Sequence, residues 1–246
     1  MKKIRVGIVN YLNTRPLLYG LRQPPFCDHI SLSLDYPAAI AASLKGGKVD
    51  LGLVPVAMLK EVPDLQRVGS HCIATDGEIA SVCLFSSVPL DQIQTVLLDY
   101  QSRTSVALLR ILMKHHWKLP VKFTETTGDG YRSQISGTTA GLIIGDRALA
   151  FRGSAAYCYD LGLAWREFTG LPFVFAAWLS AQPLSEDFLA IFNEANQQGL
   201  DRLPEVLAGI ETPIQYDLMH YFTQNVVYHW RSEMQESLRL FLALAQ

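Results

Sequence analysis

The residues best suited to chemistry lie in the polar run Asp99-Tyr-Gln-Ser-Arg-Thr-Ser105. The run follows a short aliphatic segment, Thr95 to Leu98, that is too short for a helix and typical of a buried strand. Beyond it Val106, Leu109, Leu112 and Met113 recur at helical spacing. Ser102, Thr104 and Ser105 are thus expected at a helix start, where hydroxyls and backbone N–H groups face one way. Such a turn can seat a carboxylate or phosphate, which gains roughly 0.3–2 kcal/mol from the helix dipole. The plainer reading is that Ser102 or Thr104 simply caps the helix.

A second copy of the pattern shifts the balance toward a ligand. Ile4 to Val9 reads as a strand, Asn10-Tyr-Leu-Asn-Thr-Arg-Pro16 as a polar turn, and Leu17 to Leu21 as a short helix that Pro16 can open. Each copy has a partner further on. Val49 to Val56 is a buried strand running into a helix start at Ala57, and Thr139 to Asp146 runs into Arg147 to Phe151. Asn13 and Pro55 are 42 positions apart, as are Thr104 and Asp146. Two similarly built α/β halves are expected, each offering two helix starts at the carboxyl ends of strands, where open α/β sheets bind ligands.

The elements that must position these turns follow from the remaining pattern. Ser81 to Ser86 and Leu171 to Leu179 read as extended apolar crossings between the halves. Ala156 to Asp160 is a strand, and Leu161 to Phe168 a helix ending at Gly170. Helices are expected over 185–199, 213–222 and 231–245, with Ser185 capping the first. The expected fold is α/β and two-lobed: 1–86 plus 175–246 form a discontinuous first lobe and 87–174 the second, with a ligand held between them.

Composition removes several functional classes. With 49% hydrophobic and 18% charged residues and a net charge of −2, the chain resembles an ordinary soluble protein without bulk attraction to nucleic acid or anionic lipid. Met1-Lys2-Lys3 is a basic start, but Asn10, Asn13 and Arg15 soon interrupt the apolar residues behind it. No stretch approaches the roughly 20 apolar residues of a membrane span. A cytoplasmic protein is expected. Cys27, Cys72, Cys83 and Cys158 lack metal-site spacing, and Cys83 and Cys158 read as core thiols. Neither a nucleotide fingerprint nor a nucleophile elbow is present. No metal or cofactor is expected.

Several candidates have a structural alternative. Arg103 could pair with Asp99 on the surface, Asp146 could be a helix cap beside a solvated Arg147, and Asn13 could be an ordinary turn residue. Asp50, His71 and the four tryptophans read as structural. From the residues alone, the chain is a two-lobed binder of a small, polyanionic organic molecule.

Asn10-Tyr-Leu-Asn-Thr-Arg-Pro-Leu17, Leu53-Val-Pro-Val56, Ser102-Arg-Thr-Ser105, Ile144-Gly-Asp146 and Phe168-Thr-Gly-Leu-Pro-Phe-Val-Phe-Ala176 resemble the chorismate dehydratase family of the futalosine route to menaquinone. The resemblance runs in order from about residue 3 to 180. It implies a type II periplasmic-binding-protein fold and loss of water from chorismate to give 3-[(1-carboxyvinyl)oxy]benzoate. The family's catalytic Asn falls on Asn13 and its catalytic Ser on Ser81, while its anion-binding Thr-Ser pair falls on Thr104 and Ser105. Ser102, Arg103, Gly145, Asp146, Thr169 and Gly170 complete the expected substrate-binding set. Two alternatives differ in class. One is a non-catalytic cytoplasmic binder or sensor of a small dicarboxylate. The other is the sister lyase that forms dihydroxynaphthoate, for which a different turn at 102–105 is expected.

Overall fold

Runs of valine, isoleucine and leucine bounded by polar turns form the strands, and amphipathic stretches between them form the helices. The computed structural model describes residues 3–245; Met1 and Lys2, part of the basic start, lie outside the described residues. The chain begins β1 (Ile4–Val9), α1 (Arg15–Leu21), β2 (Ile30–Asp35), α2 (Pro37–Lys45), β3 (Leu51–Pro55), α3 (Met58–Glu61) and β4 (Gln66–Thr75). It continues with β5 (Val82–Ser86), β6 (Thr95–Leu98), α4 (Arg103–Ile111), β7 (Lys122–Glu125), β8 (Thr139–Ile144), α5 (Asp146–Phe151), β9 (Tyr157–Asp160) and α6 (Leu161–Thr169). It ends with β10 (Phe173–Ser180), α7 (Glu186–Asp201), α8 (Leu203–Ala208), α9 (Leu218–His220), β11 (Val227–His229) and α10 (Ser232–Leu244). No helix among the described residues is long and apolar enough to cross a membrane.

Two compact units emerge. The first comprises 1–74, 174–212 and 218–231; the second comprises 75–173, 213–217 and 232–246. The first unit's sheet has the order β11-β4-β10-β3-β1-β2, with β1 parallel to both β2 and β3 and β10 antiparallel to β3. The second unit's sheet has the order β7-β6-β8-β5-β9, with β6 parallel to both β7 and β8 and β5 antiparallel to β8. Each unit therefore places its first parallel strand between the other two and adds one antiparallel strand beside the third. The repeat expected from the paired 42-residue offsets is present in the strand order.

The unit boundaries differ from the expected lobes over three segments, 75–86, 213–217 and 232–246, and at the single residue Val174. Ser81 and β5 belong to the second unit, because β5 inserts between β8 and β9, pairing Val82 with Ile144 and Cys83 with Asp160. The C-terminal helix α10, expected in the first lobe, also belongs to the second. Its Phe241 ring meets Phe173 and Trp165 edge-on, and its Ser237 hydroxyl accepts a hydrogen bond from the Trp165 indole N–H at 3.0 Å.

Other expectations need correction. Residues 213–217 form no helix; the helical part is Leu218–His220, followed by a wider turn over Tyr221–Asn225. Cys158 is exposed on β9, at the end of the sheet order, whereas Cys83 on the interior β5 is fully buried. Trp165 and Trp178 are core residues as expected, and Asp50 is structural, pairing with Arg5.

Candidate active site

In the second unit, pairing directions bring the carboxyl ends of β6 and β8 and the start of β5 to one sheet edge. Asp99, Ser102–Ser105, Gly145–Arg147 and Ser81 all fall there. Gly145 makes the junction: its N–H donates to the Ser81 carbonyl at 2.7 Å. Its φ of +64° with ψ of −147° lies in a region open essentially to glycine alone. Any side chain at 145 would strain the turn that holds Ser81 beside Asp146.

Ser102 is the helix cap that the plainer reading foresaw. Its Oγ accepts from the Ser105 N–H at 3.1 Å, and its hydroxyl lies 2.8 Å from Ser105 Oγ. Thr104 and Ser105 are buried in the first turn of α4, while Arg103 is exposed. Asp99 is bound to Arg147 rather than to Arg103. Arg147 Nη2 donates to both carboxylate oxygens, at 2.9 and 2.8 Å, and also reaches Gln101. The Tyr131 hydroxyl lies 2.9 Å from Asp99 Oδ2 and 2.7 Å from the Leu142 carbonyl. Burial, reinforced by the Asp99 charge, pushes the Tyr131 phenol well above its ordinary value. This ion pair fastens the 99–102 turn to the start of α5 and fixes both helix starts as one surface.

Ser81, fully buried, follows a turn over residues 76–80. Asp160 accepts from the N–H groups of Ile79 and Ala80 within that turn and of Gly162 and Leu163 in α6. Burial pushes its carboxyl up to about 6 against the opposing effect of the Leu163, Ile79 and Ala80 N–H groups. In the sequence pattern Asp160 reads only as the end of a strand. An acid directly before a helix is a capping signal, which could have drawn attention to it.

In the first unit, the carboxyl ends of parallel β1 and β3 carry Asn10–Arg15 and Val54–Val56. The β1 turn is held on both sides. The Thr14 hydroxyl lies 2.6 Å from the Val9 carbonyl and 2.8 Å from that of Tyr11, and the Tyr228 hydroxyl donates to the Asn13 carbonyl at 2.8 Å. Within this rigid turn, Asn13 Oδ1 and Arg15 Nε are buried and have no hydrogen-bonding partner. Buried polar atoms are nearly always paired, so two orphans on one turn require an explanation.

Thr169 and Gly170 do not join the second unit's edge. The Thr169 hydroxyl donates to the Trp165 carbonyl and accepts from the Leu171 N–H, and Gly170 is the left-handed residue closing α6. Nine residues of helix, roughly 13 Å at 1.5 Å per residue, separate them from Asp160 at the other end. At the Thr169 end of α6, His116, in the turn that follows α4, packs on Phe168, whereas the candidate residues lie at the start of α4. These two residues terminate a helix.

The sequence matches the family model described as menaquinone biosynthesis over residues 4–246. The chain belongs to the menaquinone biosynthesis family. A curated relative, the chorismate dehydratase of Thermus thermophilus, is 29% identical, with 98% of this chain and 94% of the relative covered. Solved structures extend the likeness of this menaquinone biosynthesis protein to fold alone. A protein of Archaeoglobus fulgidus aligns with a TM-score of 0.75 at 13% identity, covering 99% of this chain and 96% of the other. A Candida albicans protein described as having the generic periplasmic binding protein fold aligns with a TM-score of 0.64 at 13% identity, covering 100% and 90%. The menaquinone biosynthesis protein thus has the periplasmic-binding-protein architecture expected from its sequence.

Proposed function

We propose that this chain is a hydro-lyase that removes water from chorismate to give 3-[(1-carboxyvinyl)oxy]benzoate, in the futalosine branch of menaquinone synthesis and in the cytoplasm. The relative's activity and the family match support the reaction. The structural observation that carries it is the Asn13 turn, where an orphaned amide acceptor stands two residues from an orphaned guanidinium nitrogen. A dicarboxylate that also bears a hydroxyl can satisfy both. The Thr104–Ser105 helix start offers a seat for the second carboxylate.

The reaction removes the proton on the ring carbon that carries the ether and the hydroxyl on the neighbouring carbon. No His or Glu stands in the matching motifs, and neutral Asn or Ser is a poor base. In our reading the substrate's own enolpyruvyl carboxylate takes the proton. The C–H electron pair delocalises toward the ring carboxylate, held by Thr104 and Ser105. The neighbouring C–O bond then breaks, and the departing hydroxide takes up the proton as water. Asn13 and Ser81 orient the carboxylate and hydrogen-bond the leaving hydroxyl, which is positioning and charge stabilisation rather than proton abstraction. Aromatisation drives the step.

The test is incubation with chorismate, without metal or cofactor, followed by chromatography with mass detection. A product lighter by one water with a benzoate-like spectrum is expected. Asn13→Ala and Ser81→Ala should each lower kcat about a hundredfold, roughly 2.7 kcal/mol of barrier. Full kcat in both variants would overturn the residue assignment. Protection from thermal unfolding without turnover would favour a non-catalytic binder.

A further inference from the structure

Ser81 inherits its place from a turn with an unfavourable shape. Ala80, directly before it, has φ +64°, a left-handed conformation disfavoured for a residue with a Cβ. Two side chains from other elements hold this turn. Asp160 at the end of β9 accepts from the Ile79 N–H at 3.1 Å and the Ala80 N–H at 2.7 Å. Arg152, just past α5, donates from Nη1 to the Ala80 carbonyl at 2.9 Å and pairs through Nη2 with Glu78. The Ala80 peptide groups are thus gripped at both N–H and C=O. The carboxylate is doubly committed, because it also caps α6 through Gly162 and Leu163 at 2.9 and 3.0 Å.

We propose that Asp160, assisted by Arg152, is a positioning residue for Ser81, holding Ala80 left-handed so that Ser81 enters β5 in its reactive placement. The inference rests on the reading of Ser81 as a residue that touches substrate. It deepens that reading by assigning the placement of Ser81 to a carboxylate 79 positions away in the chain. A simple helix cap needs only the Gly162 and Leu163 contacts; the Ile79 and Ala80 contacts go beyond that role.

The charge on Asp160 matters to the grip, since an ionised carboxylate accepts from N–H donors roughly twice as strongly as its acid form. Facing it are Glu78 from the turn, Cys83 from β5 with Sγ at 3.7 Å, Cys158 from β9 and Tyr216 from the 213–217 segment, while Arg152 reaches Cys83 Sγ at 3.6 Å. With burial pushing its carboxyl up to about 6, protonation on the acid side of neutrality should loosen the turn. An acid limb in kcat near that pH is then the signature of Asp160, even though Asp160 exchanges no proton with substrate.

Four variants decide the matter: Ser81→Ala, Asp160→Asn, Ala80→Gly, and Ala80→Gly combined with Asp160→Asn. Asp160→Asn should lower kcat about tenfold to a hundredfold at pH 7.5 with little change in KM, the effect of a misplaced group outside the chemistry. It should also remove the acid limb near pH 6. Glycine takes the left-handed shape without steric penalty, so adding Ala80→Gly should recover about tenfold of the lost kcat. Should Asp160→Asn fail to fold, Arg152→Lys, which loses the forked grip on Ala80 and Glu78, should lower kcat about tenfold and leave KM unchanged. A folded Asp160→Asn variant with wild-type kcat and acid limb overturns the inference. So does a loss that Ala80→Gly leaves unrecovered, which would reduce Asp160 to a cap for α6. Unchanged kcat in Arg152→Lys would equally overturn it if that variant has to stand in. If Ser81→Ala keeps full activity, the reading of Ser81 fails and this inference with it. If Ser81→Ala is crippled and Asp160→Asn is not, only the inference fails.

Discussion

The side chain of Asp99 is wholly buried, and its charge is tolerated because Arg147 supplies a hydrogen bond to each of its oxygens. Removing the cation leaves a carboxylate with no counter-ion in a dry site, a change that typically costs about 3–5 kcal/mol. Arg147→Ala should therefore lower unfolding stability by about that much in chemical denaturation. Arg110→Ala removes the exposed pair with Glu125, worth at most ~1 kcal/mol, and is the control. An equal effect from the two would mean that the Asp99 pair does not organise the turn. What sequence can reveal at this scale depends on separation along the chain. The Ser102 cap was legible because its partner is three residues away. Arg103 looked like the partner of Asp99 because it is near in sequence. The true partners, Arg147 and Tyr131, are 48 and 32 positions away, and nothing local announces them. The Asn13 assignment came from resemblance, and only the structure adds that its amide oxygen is an orphan.

Between elements, the placement of the Asn13 turn depends on how closely α1 lies against α7. A Cβ at Gly20 would stand 1.6 Å from the Ala195 carbonyl oxygen, and one at Gly199 would stand 1.7 Å from that of Pro16. The two glycines bring the helix backbones into contact, directly after the residues that carry Asn13. Gly199→Ala must push the helices apart. It should cost at least ~2 kcal/mol, in the range for overpacking, and lower kcat as the turn shifts. Gly209→Ala, whose Cβ would meet nothing closer than 3.6 Å, should leave kcat unchanged. A stable, fully active Gly199→Ala would show that the Asn13 turn does not depend on this packing. Both helices are legible in the sequence but their contact is not, since a lone glycine in a helix does not reveal what lies against it. Nor is β4 legible there, because its first half, Gln66-Arg-Val-Gly-Ser70, is too polar to read as a strand.

His71, in the second half of β4, makes the first unit sensitive to acid. It is buried between Gln197 and His229, and burial holds its imidazole below the ordinary value near 6.5. The folded state keeps it neutral while the unfolded chain protonates more readily, so its contribution is complete above about pH 6.5 and is lost as pH falls through the lowered folded value. Asp160, with a raised folded value, acts with the opposite sign in the same range. The informative measurement is therefore a difference. Thermal midpoints of wild type and His71→Gln should diverge least near pH 5 and most above pH 7. A pH-independent difference would mean that His71 does not titrate in folding.

Across the whole molecule, the sequence disclosed the repeat more readily than the division. Paired strand-turn-helix patterns at equal offsets are visible in one dimension, and the strand orders of the two sheets agree with them. Which unit receives the last helix is not visible, because an amphipathic stripe states that a face will be buried but not against what. The answer lies in three rings. Trp165, Phe173 and Phe241 form mutual edge-on contacts, and the Trp165 N–H has its partner on Ser237 of α10. A chain ending after Arg231 loses Phe241 and Ser237 together and leaves a buried indole donor unpaired. Its second unit should then lose amide-exchange protection across 75–173, with Trp165 emission shifting to the red, while strands β1 to β3 retain theirs. Phe241→Ala is the milder form and should cost about 3–5 kcal/mol, as large core truncations do. Protection retained across 75–173 in the shortened chain would mean that α10 only covers a core already complete without it.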